Sequence, residues 1–308
     1  MAGPAPLVVG VGVACLDYLF VAPPAAPGGY APLRAYLVQG GGLVGSALVA
    51  AARLGARAEI RTWVGDDPVG EQVLAGLRAE GVDTTHAEVV PGARTPVSFV
   101  HVEEGTGERT IFSGGWLQVP EQLISRAARR PLSCDALLVD SLWPAAGRAA
   151  AEQARRAGRP VVSDFCPRPE LADLTRLVTA LVVPRGCADH LAPGLPRDQQ
   201  LGRLRELGPE LVAITAGEEG CDYLAGDALG RQPAFSVPVV DTTGAGDVFH
   251  GAIAYALARG WPAAQAVEFA SAAAALSCRA LGGRTAAPTL DETLALLRTR
   301  GSPAWRSE

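Results

Sequence analysis

The chain has 308 residues, of which 48% are hydrophobic, and carries 27 basic against 32 acidic side chains for a formal net charge of −5. That composition supports a large buried core and excludes a disordered chain, and the absence of any basic block argues against a nucleic-acid surface. All 27 basic residues are arginine and there is no asparagine, so a P-loop lysine, a kinase-strand lysine and a Schiff-base lysine are excluded outright.

Leu7 to Val13 is a continuous apolar run of the kind that forms a buried parallel strand. No positively charged segment precedes it, the first basic residue being Arg34, and Asp17 breaks the apolar stretch. Neither a signal peptide nor a membrane span fits, and a cytoplasmic protein is expected. Further strand-like runs stand at Ala58 to Val64, Ala136 to Asp140, Pro160 to Asp164, Ala180 to Val183, Leu211 to Thr215 and Phe235 to Val240. Helix-like runs at Ser46 to Leu54, Val69 to Glu80, Ala145 to Ala157, Asp198 to Leu207, Val248 to Ala258 and Ala263 to Ser277 fall between and after them. This alternation predicts an α/β fold with a doubly wound, mostly parallel central sheet flanked by helices, in one domain spanning residues 1–308.

Two segments break the rhythm. Leu16 to Ala22 with Leu33 to Val38, and Thr95 to Val102 with Arg109 to Phe112, alternate as strands do, with a turn expected at Glu104-Gly105-Thr106-Gly107. A small β-sheet drawn from about 16–38 and 95–112 is a candidate lid over the ligand end of the main sheet, or else a plain edge hairpin. Its exposed face would favour a homodimer through the lid. The six cysteines, Cys15, Cys134, Cys166, Cys187, Cys221 and Cys278, have no CxxC spacing and are expected to be buried reduced thiols.

The segment Asp241-Thr242-Thr243-Gly244-Ala245-Gly246-Asp247 carries the most chemistry. A glycine-rich turn opening a helix leaves the first N–H groups unpaired at the positive end of the helix dipole, where a phosphate is held. Asp247 adds a carboxylate where a substrate hydroxyl can give up its proton. It also suits a simple helix N-terminal acid.

With Gly40-Gly41-Gly42, Arg53-Leu54-Gly55 and Val64-Gly65-Asp66-Asp67-Pro68-Val69-Gly70 earlier in the chain, this signature resembles the ribokinase-like, PfkB-type carbohydrate kinases over nearly the whole length. The resemblance extends most to ketohexokinase-like and sulfofructose kinase-like members. It implies Asp247 as general base and the N–H groups of Gly244, Ala245 and Gly246 as the anion hole for the transferring phosphoryl group. It implies sugar contacts from Asp17, Gly41, Gly42 and Ser46, the last standing where the family usually carries Asn. Arg109 matches an arginine facing substrate or phosphate, and equally suits a plain surface arginine.

Thr215, Gly217 and Gly220 match a TxGxxG turn beside ATP, though two glycines after a strand also make an ordinary tight turn. Pro184-Arg185-Gly186-Cys187-Ala188 replaces the family's Asn-x-x-Glu element. The cofactors implied are ATP with Mg2+, and a monovalent cation such as K+ beside Asp241 and Thr243. The acceptor implied is C1 of a fructose-like ketohexose, because the stretch Cys15 to Tyr30 has no cation to hold a sulfonate and Leu142 and Trp143 offer an apolar lining. Sulfofructose, then ribose or a nucleoside, are the alternative substrates. A silent sugar-binding regulator on the same fold is the alternative of another class.

Overall fold

The structure, a computed structural model, describes residues 4–24, 28–105, 107–300 and Trp305. Thr106 of the expected turn and 25–27 of the expected sugar-facing stretch lie outside the described residues.

A nine-stranded sheet forms the centre. From one edge its strands run Ala228–Gln232, Cys221–Ala225, Leu211–Thr215, Ala180–Pro184, Val161–Asp164, Ala136–Asp140, Leu7–Val11, Arg57–Arg61 and Val82–Asp83. The first two are antiparallel to their neighbours and the rest are parallel. Strands buried on both faces are mostly apolar, which is why Leu7–Val11 and Ala180–Pro184 read as unbroken runs. Val8, Leu138, Val162, Val182 and Ala213 pack toward one helical layer, while Val9, Leu137, Val139, Val161, Leu181 and Val212 pack toward the other.

The first layer holds the helices Leu43–Arg53, Ala245–Ala258 and Ala263–Ser277. Helices Leu43–Arg53 and Ala245–Ala258 come very close, because a Cβ on Gly251 would lie 2.1 Å from the Ala47 carbonyl oxygen. The second layer includes Pro144–Arg156 and Arg197–Arg205.

Leu7–Val11 lies between Arg57–Arg61 and Ala136–Asp140, so the winding reverses across it. A crevice opens at the carboxyl ends of strands at such a point. Just beyond that end, the buried Asp140 accepts from the Val13 N–H at 2.6 Å and the Leu142 N–H at 2.9 Å. Burial pushes its carboxyl up to about 7.

The second sheet has four strands in the order Ala35–Gly41, Cys15–Ala22, Val97–Glu103 and Arg109–Ser113. Its register places Asp17 opposite Ser98, Leu19 opposite Val100, and Val102 opposite Arg109. These residues share one face, on which Leu19, Val100 and Val102 are buried. The opposite face carries Tyr18 stacked on Phe99 and Phe20 stacked on His101, with Tyr36 and Phe112 exposed beside them.

Three expectations need correction. Phe235 to Val240 is not a strand: Pro238 removes a ladder donor, only Phe235 of the run is buried, and the sheet edge is filled by the hairpin Cys221–Ala225 and Ala228–Gln232. Ala58 to Val64 divides into Arg57–Arg61 and Trp63–Gly65, the latter pairing with Glu88–Val90. Cys166 and Cys187 are not reduced thiols but form a disulfide across a sequence separation of 21, while Cys15, Cys134, Cys221 and Cys278 are free and buried. The pair follows the neighbouring strands Val161–Asp164 and Ala180–Pro184, whose parallel register brings the two Cα atoms to 5.8 Å.

Candidate active site

The signature turn is held from within. The Asp241 Oδ1 accepts from the Thr243 N–H at 2.8 Å and its hydroxyl at 2.7 Å, and Oδ2 accepts from the Gly282 N–H at 2.8 Å. Asp241 is therefore the organiser of the turn, with both oxygens engaged. Gly244 caps the following helix in the left-handed region, at φ 73°, where a glycine has no steric cost. Its missing side chain also makes room for Gly283, whose Cα would be 2.5 Å from a Cβ at that position.

The first intrahelical bond runs from the Val248 N–H to the Gly244 carbonyl at 2.9 Å. Ahead of it, the Ala245 N–H leans on the Thr242 carbonyl at 3.3 Å. The N–H groups of Gly244, Gly246 and Asp247 have no acceptor among the described residues, so they are the free donors of this helix start.

Asp247 is half-buried in the first turn. Burial, then the negative charges of Asp164 and Asp17, hold its carboxyl well above the usual aspartate range, while Arg284 and Arg109 pull the other way. One turn on, His250 presents Nδ1 to the Gly246 carbonyl at 2.7 Å and to Asp164 Oδ2 at 3.5 Å, and Nε2 to the Val182 carbonyl at 3.3 Å. The histidine thereby ties the helix to the middle of the strand Ala180–Pro184 and brings it beside the end of Val161–Asp164.

Asp17 lies on the inner face of the small sheet, half-buried, with the Cys15 thiol donating to its Oδ1 at 3.3 Å. Burial raises its carboxyl, and the Cys15 hydrogen bond and the Arg284 charge oppose this. A Cβ on Gly41 would lie 2.0 Å from Asp17 Oδ2, so Gly41 makes room for that carboxylate. Gly42 has φ 88° and fits against the Val13 carbonyl, 2.6 Å from where a Cβ would be. Ser46, 3% exposed, accepts from Arg284 Nε at 3.3 Å. Arg109 crosses from the small sheet to the signature, donating from Nη1 to Thr242 Oγ1 at 2.8 Å and to the Thr242 carbonyl at 3.3 Å.

Thr215, Gly217 and Gly220 stand at the carboxyl end of Leu211–Thr215, two strands from Asp164, with φ 56° and 94° at the two glycines. The helix Arg185–Leu191 takes the place of the missing Asn-x-x-Glu element and reaches this turn through an Arg185–Glu219 ion pair. Trp143, expected near the sugar, belongs to the second helical layer, edge-on to Trp63 at 4.8 Å. The helix N-terminus and backbone donors suit the phosphates of a nucleotide. Among the described residues no group of three or more His, Cys, Asp or Glu could hold a metal.

Sequence reading missed Arg284, Asp164 and His250. Gly282-Gly283 beside an arginine is a weak signal, and Asp164 and His250 acquire their places only through packing.

Residues 37–290 match the family described as pfkB family carbohydrate kinase. A ribokinase of Haemophilus influenzae is 28% identical over 85% of this chain and 88% of its own length. Fructokinase-1 of Oryza sativa is 30% identical over 97% of this chain and all of its own. The Arabidopsis thaliana ribokinase solved with ribose and ATP superposes with a TM-score of 0.78 at 22% identity, covering 96% of this chain and 99% of that one. The chain belongs to the pfkB family of carbohydrate kinases, phosphotransferases whose acceptor is a sugar hydroxyl.

Proposed function

We propose that the chain transfers the γ-phosphoryl group of ATP to C1 of a fructose-like ketohexose. The observation that carries the phosphoryl-transfer part of this reading is the pairing of free helix N–H groups at Gly244, Gly246 and Asp247 with the Asp247 carboxylate in the same turn, while the ketohexose rests on the sequence resemblance. Phosphoryl transfer demands mainly positioning and charge stabilisation, and this turn supplies a donor cradle and a base without lysine. Asp247 takes the proton of the attacking hydroxyl while Asp17 holds neighbouring hydroxyls. ATP supplies the phosphoryl group and carries Mg2+ chiefly on its own phosphates. Thr215, Gly217 and Gly220 line its seat. A monovalent cation near Asp241 and Thr243 would lean on backbone carbonyls, since the Asp241 oxygens already accept three hydrogen bonds.

The small sheet acts in this reading as a lid, with Arg109 its latch on Thr242. Its exposed aromatic face is the surface for a homodimer. No helix among the described residues is long and apolar enough to cross a membrane, in keeping with a cytoplasmic enzyme.

The test is ADP release from ATP across fructose, sulfofructose, ribose and adenosine. Fructose should give the highest kcat/KM. No sugar-dependent release with any of them would support a silent sugar-binding regulator instead. A pH profile adds a second expectation. Asp247 must be ionised to act, so kcat/KM falls as pH drops through its raised pKa. The acid limb therefore lies above the range of an ordinary aspartate. Asp164→Asn removes a negative charge that holds this pKa up, so the limb should move to lower pH, and an unmoved limb would count against Asp247 as the titrating base.

A further inference from the structure

Arg284 is 5% exposed, and Arg61, at 6%, is the other buried arginine among the described residues. Arg61 has Glu59 at 3.2 Å, whereas Arg284 has no carboxylate within 4.0 Å among the described residues. A guanidinium cannot shed its charge, and burying it without a partner is costly. Its fork is only part-used: Nε donates to Ser46 Oγ at 3.3 Å and Nη2 to the Gly41 carbonyl at 2.8 Å, while Nη1 has no acceptor among the described residues.

The surroundings are shaped to admit this side chain. A Cβ on Gly40 would lie 2.1 Å from Nη1, and one on Gly45 would lie 2.7 Å from Nη2. Its backbone is fixed as well, because Arg53 donates to the Arg284 carbonyl at 2.8 Å while gripping Glu80 through two bonds of 2.8 Å. Gly41 is the shared neighbour of two opposite charges. Its carbonyl takes Arg284, and the space of its missing Cβ takes Asp17.

We propose that Arg284 is a substrate-binding residue that, with Asp17, selects a neutral sugar by gripping adjacent hydroxyls. This rests on the kinase reading of the site and deepens it. A hydroxyl donates one hydrogen bond and accepts others, so it answers a carboxylate and a guanidinium that do not bond each other. A substrate carboxylate would meet the charges of Asp17 and Asp247, and a sulfonate or phosphate calls for more than one cation. The short Ser46 leaves to Arg284 the donors that a longer amide at that position would provide.

The test pairs Arg284→Met with a ketose and its monodeoxy analogues at hydroxyls other than the one phosphorylated. KM for the parent sugar should rise roughly ten- to hundredfold, the loss typical of a hydrogen bond to a charged group, with KM for ATP unchanged. One deoxy analogue should be equally poor with both proteins, because the hydroxyl that Arg284 reads is already gone. An equal loss on every analogue would mean that Arg284 only braces the fold and would overturn the proposal. So would a wild-type preference for a sugar acid over the neutral sugar. If Arg284→Met does not fold, Arg284→Lys carries the same cycle, keeping the charge and losing the fork. If no sugar is phosphorylated at all, the kinase reading fails, yet calorimetric Kd values for the same sugars against the wild type and the variant still decide the role of Arg284.

Discussion

Asp247→Asn should lower turnover by at least about two orders of magnitude while sugar and ATP still bind within a few-fold of the wild type. Asparagine preserves the size of the side chain and its place in the first turn, so the free N–H groups at Gly244 and Gly246 are kept. What is lost is an acceptor for the hydroxyl proton. The surroundings sharpen the expectation, because Arg284 and Arg109 favour the ionised carboxylate and Asp164 and Asp17 oppose it, and an amide answers none of these charges. Rapid-quench measurement of the first turnover, beside equilibrium binding of sugar and nucleotide, separates the chemical step from affinity. A variant that retained most of its first-turnover rate would show that the base lies elsewhere.

Gly244→Ala should act on both stability and chemistry. Alanine at φ 73° carries a left-handed penalty of roughly 1–2 kcal/mol. Its Cβ would also stand 2.5 Å from Gly283 Cα and 3.1 Å from the Gly283 carbonyl oxygen. Both contacts are with backbone, so no rotamer change relieves them, and the loss of stability should reach about 2–4 kcal/mol. Gly283 adjoins Arg284, and Gly282 donates to Asp241, so the displacement reaches Arg284, proposed above to read the substrate, and the turn together. With the phosphate cradle misplaced, kcat should fall about 10²–10³-fold. Denaturant unfolding and steady-state kinetics of the one variant measure both, and wild-type values in either would refute this role for the turn.

The legibility of this chain followed the length scale of each cause. Leu7–Val11 and Ala180–Pro184 were visible as apolar runs because a strand covered on both faces leaves no polar position. The helix Ala245–Ala258 and the free N–H groups at its start were visible because the glycine turn and the helix it opens are neighbours in sequence. Phe235 to Val240 misled, since an apolar run is also what lies along a surface between a hairpin and a site, and Pro238 was the overlooked sign. Arg284 and the Cys166–Cys187 bridge were out of reach for another reason. Arg284 meets Gly41 across 243 residues, and the cysteines are joined only by the register of two strands.

That bridge also bears on how the enzyme moves. It fastens the segment after Asp164 to the helix Arg185–Leu191, which in turn grips the Thr215 turn through Arg185 and Glu219. The acid that tunes Asp247 and the turn assigned to the nucleotide thus sit on one braced jaw, which cannot spread between those two strands without breaking a covalent bond. The four-stranded sheet has no such fastening among the described residues, and Arg109 meets the signature through hydrogen bonds alone. In the lid reading proposed above, entry and release of ligand fall to this opposing jaw, with the braced one as its anvil.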